Sequence, residues 1–110
     1  MHPNDIAAAL AQTHDANPKL RRAALLTLCP CHVRSDVTQI WDRMFEMQVD
    51  EDPGVRSIVL HNLTDGSPRS REAEVVEALE RLANDADPKL RRRARRALSE
   101  YRQTGRIIEA

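Results

Sequence analysis

The sequence predicts an all-α chain: a short α-solenoid of three antiparallel helix pairs forming a single domain. Three observations point there. Pro18, Pro53 and Pro88 recur at a constant interval of 35 residues. Apolar residues around them fall at helical spacing, and no segment has the period-two alternation of a strand. At 110 residues the chain is long enough for one core and too short for two.

The repeat reads D-A-N-P-K-L-R at residues 15–21, D-E-D-P-G-V-R at 50–56 and D-A-D-P-K-L-R at 85–91. It continues in register through Ala24, Val59 and Ala94 to Leu28, Leu63 and Leu98. Asn17, Asp52 and Asp87 are good N-caps, because their side-chain oxygens can accept bonds from orphan amides of the first turn. Proline at the next position loses no needed hydrogen bond and presets the helical φ, so a helix is expected to start at each. Leu20, Ala24 and Leu28 form the apolar stripe of the first, Val55, Val59 and Leu63 that of the second, and Leu90, Ala94, Ala97, Leu98 and Tyr101 that of the third.

Three further helices alternate with these. The weakest runs from Asp5 to Thr13 and carries Ile6 and Leu10. A second covers about residues 36–48, with Val37, Ile40, Trp41, Met44, Phe45 and Gln48 on one face. A third carries Val75, Val76, Leu79, Leu82 and Ala83, and is expected to open with Ser67 as its cap and Pro68 at its first position. The units are then approximately 1–32, 33–66 and 67–106.

The D-x-[DN]-P-x-[LV]-R core resembles HEAT repeats, especially the short HEAT-like units also found in phycobilin lyases, and the resemblance covers nearly the whole chain. It implies a right-handed superhelix, a typically non-catalytic binding role, and a structural ladder between units made by Asp15, Asp50 and Asp85 with Arg21, Arg56 and Arg91. The Trp–Gly–Tyr signature of tetratricopeptide repeats and the T-P-L-H of ankyrin repeats are absent.

Departures from the repeat point to function. Ile58 and Leu60 of the second unit become Arg93 and Arg95 in the third, and Val37 and Phe45 become Glu72 and Glu80. This reads as a polar capping face that completes a three-unit stack. The 17 basic and 17 acidic residues balance, but unevenly: residues 1–35 carry +2, residues 36–87 carry −8, and the segment from Pro88 onward carries +6. Arg92, Arg96 and Arg102, with Arg22 on the equivalent earlier helix, are the expected contacts on a concave face lined by the second helices. The partner expected there is a protein with an acidic surface, which makes the chain a small scaffold or adaptor. Nucleic-acid binding by the same basic helix is the alternative, although no aromatic residues interleave with the arginines for base stacking. Glu72, Glu74, Glu77 and Glu80 stand to neutralise part of the run.

The second departure is Cys29-Pro30-Cys31-His32, where the next unit has Thr64-Asp65-Gly66-Ser67. Two soft ligands and an imidazole so close together suit zinc or another soft metal, with His61 as a fourth candidate, or a redox-sensing thiol pair. Against this, the C-x-C-H spacing lacks the paired C-x-x-C of a strong zinc motif, and Pro30 can simply stop a helix. No cofactor is otherwise implied. Two cysteines two residues apart form no disulfide framework, so a reducing, cytoplasmic location is expected. The apolar stretches are short and broken by charge, which argues against a membrane span. No nucleophile–base–acid set and no Gly-rich phosphate loop is present, so no enzyme is expected.

Overall fold

The computed structural model describes residues 1–33 and 35–109, and every regular element among them is helical. The order is α1 (Pro3–Gln12), α2 (Pro18–Thr27), the single turn α3 (Pro30–Val33), α4 (Thr38–Glu46), α5 (Pro53–Leu63), α6 (Glu72–Leu82) and α7 (Pro88–Thr104). Short 3-10 turns, Met47–Val49 and Arg69–Arg71, extend α4 and precede α6. The helices form two layers. α2, α5 and α7 pack side by side in one, and α1, α4 and α6 cover them from the other. The smallest extent of the molecule, 17 Å, is about the thickness of two helix layers.

The helices after each repeat motif start where the capping argument places them. Asn17 Oδ1 accepts from Lys19 N at 2.9 Å, Asp52 Oδ2 from Val55 N at 2.9 Å, and Asp87 Oδ2 from Leu90 N at 3.4 Å. The longest, α7, ends at Gly105, whose φ of +73° gives the left-handed cap that glycine adopts without steric cost. Leu25, Leu28, Ile40, Trp41, Met44, Val59, Leu60, Leu79 and Leu98 share one core. Trp41 and Met44 are therefore packing residues, as their stripe predicts.

Three expectations change. Pro68 does not open α6: it precedes the 3-10 turn, and α6 starts at Glu72 with no side-chain cap bond. Pro30 ends α2 but also begins the extra turn α3, in which Cys29 O accepts from the amides of His32 and Val33. Leu20, placed in the core by its stripe, is 41% exposed, whereas its counterparts Val55 and Leu90 are buried. This position faces back along the stack, where α5 meets α2 and α7 meets α5; no described helix pair lies on that side of α2.

What joins the pairs is a polar ladder that repeats with the sequence. Arg21 grips Asp50 through Nε–Oδ2 at 3.1 Å and Nη2–Oδ1 at 3.0 Å, and Nη1 donates to the carbonyls of Asp15 and Ala16. Thirty-five residues on, Arg56 grips Asp85 at 2.8 and 3.0 Å and donates to the carbonyls of Asp50 and Glu51. Arg91 makes only the local part of the pattern, Nη1 to Asp85 O at 2.9 Å. Each bridging carboxylate also accepts the amide two residues on, Asp52 N for Asp50 and Asp87 N for Asp85. Between the same helices, buried Asn62 donates to Leu25 O at 2.9 Å.

Replacing Arg56 by alanine orphans Asp85 between two helix pairs. The expected loss is about 2–4 kcal/mol, between the limits for exposed and buried ion pairs. Arg91→Ala, which breaks no carboxylate fork, is expected to cost less; urea denaturation of both variants compares them. A pH dependence follows from the same groups. Burial acts to raise the Asp85 carboxyl, but the Arg56 hydrogen bonds, the Asp87 amide and the charges of Arg56 and Arg91 together hold it below the ordinary range. A carboxyl lowered on folding contributes stability above its unfolded pKa, and this is lost as pH falls through the folded value. The thermal midpoint is expected to drop as pH goes below about 4, the ordinary carboxylate range, and to drop less steeply in Asp85→Asn.

Candidate functional site

Two regions carry side chains beyond what the stack requires. The first lies where the turn after α2 meets the turn after α5. Cys29 follows the C-cap of α2 and is buried; Pro30 starts the α3 turn and leaves Cys31 exposed at its next position. On the second pair, His61 sits in the last turn of α5 and Asp65 two residues past its end. Gly66 then turns the chain with φ +94°, and a Cβ there would stand 3.9 Å from Pro30 Cβ, so the two turns lie against each other.

Three possible donors cluster at this contact, with His61 beside two of them. The Cys31 thiol approaches Cys29 Sγ at 2.7 Å, and the Cys29 thiol donates to Asp65 Oδ2 at 3.1 Å. His61 Nε2 stands 3.6 Å from Cys29 Sγ and 3.9 Å from Asp65 Oδ2. One ligand atom from each of Cys29, Cys31 and Asp65 falls within 4.8 Å of the other two. Cys29 is buried, while the His61 and Asp65 side chains keep 44% and 41% of their surface. Burial, followed by its bonds to Cys31 and Asp65, pushes the Cys29 thiol up to about 12.

Of the candidates drawn from the sequence, Cys29, Cys31 and His61 are thus brought together. His32 is exposed and lines a shallow hollow with Met1, Leu26 and Thr27 instead. Asp65 is the member that sequence reasoning missed, because its turn reads as an ordinary loop. The available signal was the register: adjacent pairs stack at 35 residues, so residue 65 lands beside residue 30 and between the two cysteines in height.

The second region is the outer face of α7. Lys89, Arg92 and Arg96, at i, i+3 and i+7, make one exposed stripe, and Arg102 is exposed further along. Among the described residues none of Arg92, Arg96 and Arg102 enters an ion pair. The other arginines of the basic run are committed: Arg93 to Ser57 and Glu109, Arg95 to Ala83 O, Arg91 to Asp85 O. Arg22 is half-buried and bonded to Asp52 at 2.7 Å, across the junction between α2 and α5. The expected neutralisation by the α6 glutamates does not take the form of ion pairs. Glu72 accepts from Tyr101 Oη at 3.4 Å, and Glu74 pairs with Arg71, whose guanidinium also lies 5.1 Å over the Phe45 ring.

A stack of helix pairs held in register by a recurring Arg–Asp fork defines a helical-repeat solenoid. The family model for HEAT repeats matches residues 6–99, and the chain belongs to the HEAT-repeat family. The match is to HEAT repeats as such. No curated protein matches the chain.

The contrast between the two thiols is measurable. In reduced, metal-free protein, iodoacetamide is expected to modify Cys31 well before Cys29, because Cys29 is 2% exposed and holds its proton; peptide mass spectrometry over a time course reads the order. Equal rates at the two sites would contradict the burial of Cys29.

Proposed function

We propose that the protein is a non-catalytic interaction module that binds an acidic protein surface through the exposed face of α7. HEAT repeats generally mediate protein–protein interaction, and no described helix is long and apolar enough to cross a membrane. The observation that carries the reading is the uncommitted charge. Arg92 and Arg96 lie one turn apart and exposed with no carboxylate partner, in a molecule where Arg21, Arg22, Arg43, Arg56, Arg71 and Arg93 all have one.

By register, Arg92 occupies the position of Ser57 and Arg22, and Arg96 that of His61 and Leu26. The charge thus concentrates at one end of the α2–α5–α7 face. Arg92, Arg96 and Arg102 are the proposed contacts. Arg22 contributes less, since Asp52 already holds its guanidinium. Long, hydrated side chains on an exposed helix favour fast, salt-sensitive association over a deep hot spot.

The test compares the parent with Arg92→Glu/Arg96→Glu as baits in an extract divided into untreated and nuclease-treated portions. A protein captured by the parent at low salt, released by raised salt and not captured by the double variant is the expected result. Capture that disappears after nuclease treatment, with duplex DNA or RNA binding the parent directly, would replace the reading with nucleic-acid binding. Capture unaffected by the double variant would overturn the assignment of the face.

A further inference from the structure

We infer that Cys29, Cys31, His61 and Asp65 form a binding site for a single zinc-class divalent cation that clasps the first helix pair to the second. Three independent features support it.

The first is the donor set. Two thiols, an imidazole and a carboxylate are the ligand types that borderline-soft, four-coordinate Zn²⁺ takes, and together they match neither the all-oxygen shells of Mg²⁺ and Ca²⁺ nor an all-sulfur cluster site. The second is convergence. Cys29 and Cys31 come from one turn and His61 and Asp65 from the next, yet the Cys29–His61, Cys29–Asp65 and His61–Asp65 separations are 3.6, 3.1 and 3.9 Å. Ligands about 2.0–2.3 Å from a tetrahedral zinc stand roughly 3.3–3.8 Å from one another. These three are therefore placed to within about half an ångström of that arrangement. The sulfurs, 2.7 Å apart, must separate by about 1 Å to bind one ion. Cys31 is exposed on a one-turn helix, and rotation of its side chain sets that separation.

The third feature is the repeat. None of the four donors recurs in register: Cys29 corresponds to Thr64 and Ser99, Cys31 to Gly66 and Tyr101, His61 to Leu26 and Arg96, and Asp65 to Pro30 and Glu100. The fold builds its other junction without any of them, so the stack does not require these residue types. The site also complements the ladder. Arg21–Asp50 and Arg22–Asp52 tie the N-terminal ends of α2 and α5, and the cation ties their C-terminal ends. A strained disulfide between cysteines two residues apart would use neither His61 nor Asp65. Binding displaces the thiol protons to solvent as the sulfurs become thiolates, with no change of oxidation state.

The test is titration of reduced, chelator-treated full-length protein with Co²⁺ and with Zn²⁺. Expected are saturation at one ion per chain, thiolate-to-cobalt charge-transfer absorption with the intense ligand-field bands of a tetrahedral ion, and a thermal midpoint that rises with free Zn²⁺. Asp65→Asn and His61→Ala are each expected to weaken binding by about tenfold or more. Cys31→Ser, at an exposed position, is expected to cut the charge-transfer absorption to about half or less, since only the Cys29 thiolate is left, while circular dichroism confirms the helices are retained. His32→Ala is expected to bind as the parent does. The inference is overturned by failure to saturate at one equivalent, by an octahedral cobalt spectrum, or by undiminished affinity in both Asp65→Asn and His61→Ala.

Discussion

A pair of helices of 9 to 17 residues cannot bury both of its broad faces by itself, so each pair is stable only against its neighbour. Apolar contact brings the pairs together but is non-directional and tolerates sliding. The Arg21–Asp50 and Arg56–Asp85 forks remove that freedom, because two parallel hydrogen bonds fix both the separation and the rotation of the groups they join. Each fork is also wired into local structure. The bridging carboxylate organises the loop that opens its own helix, and the guanidinium closes the loop that opens the helix before it. Capping, loop shape and register between pairs are therefore one network.

Once register is set at the N-terminal ends of α2, α5 and α7, the remaining outward positions of those helices need satisfy no packing demand. Their chemistry varies accordingly, from Leu26 through His61 to Arg96 and from Arg22 through Ser57 to Arg92. The soft donors collect at the first junction and the unpaired guanidinium groups on the last helix. The scaffold thus keeps two chemically different clusters apart, thiol, imidazole and carboxylate groups between two turns and an open charged stripe, without altering the repeat that carries them.

The polar substitutions of the third pair have a second role visible only in three dimensions. Arg93 and Arg95 replace Ile58 and Leu60, and both turn back to bond within the chain, Arg93 across to Ser57 on α5 and Arg95 to the end of α6. Their charges are then poor candidates for a partner, and of the five arginines in the linear run from Lys89 to Arg96 only Arg92 and Arg96 stand on the open stripe.

The repeat, the helix starts at Pro18, Pro53 and Pro88 and most of the core stripes were legible in the sequence, because each depends on local spacing or on a relation that recurs at a constant interval; the Arg–Asp ladder was implied by the resemblance to HEAT repeats. Also legible were three of the four donors at the first junction, through the oddity of Cys29-Pro30-Cys31 and the stacking of His61 beside it. Other features were decided by tertiary structure. Asp65 joins the thiols because one turn rests on the next, a contact between residues 36 apart that leaves no mark on either turn alone. His32 points away because Pro30 begins a helical turn that carries it round to the other side. Leu20 is exposed because burial depends on a neighbour, and a stripe records only which face is apolar. Local spacing determines what each helix can offer; the register between helices decides which offers meet.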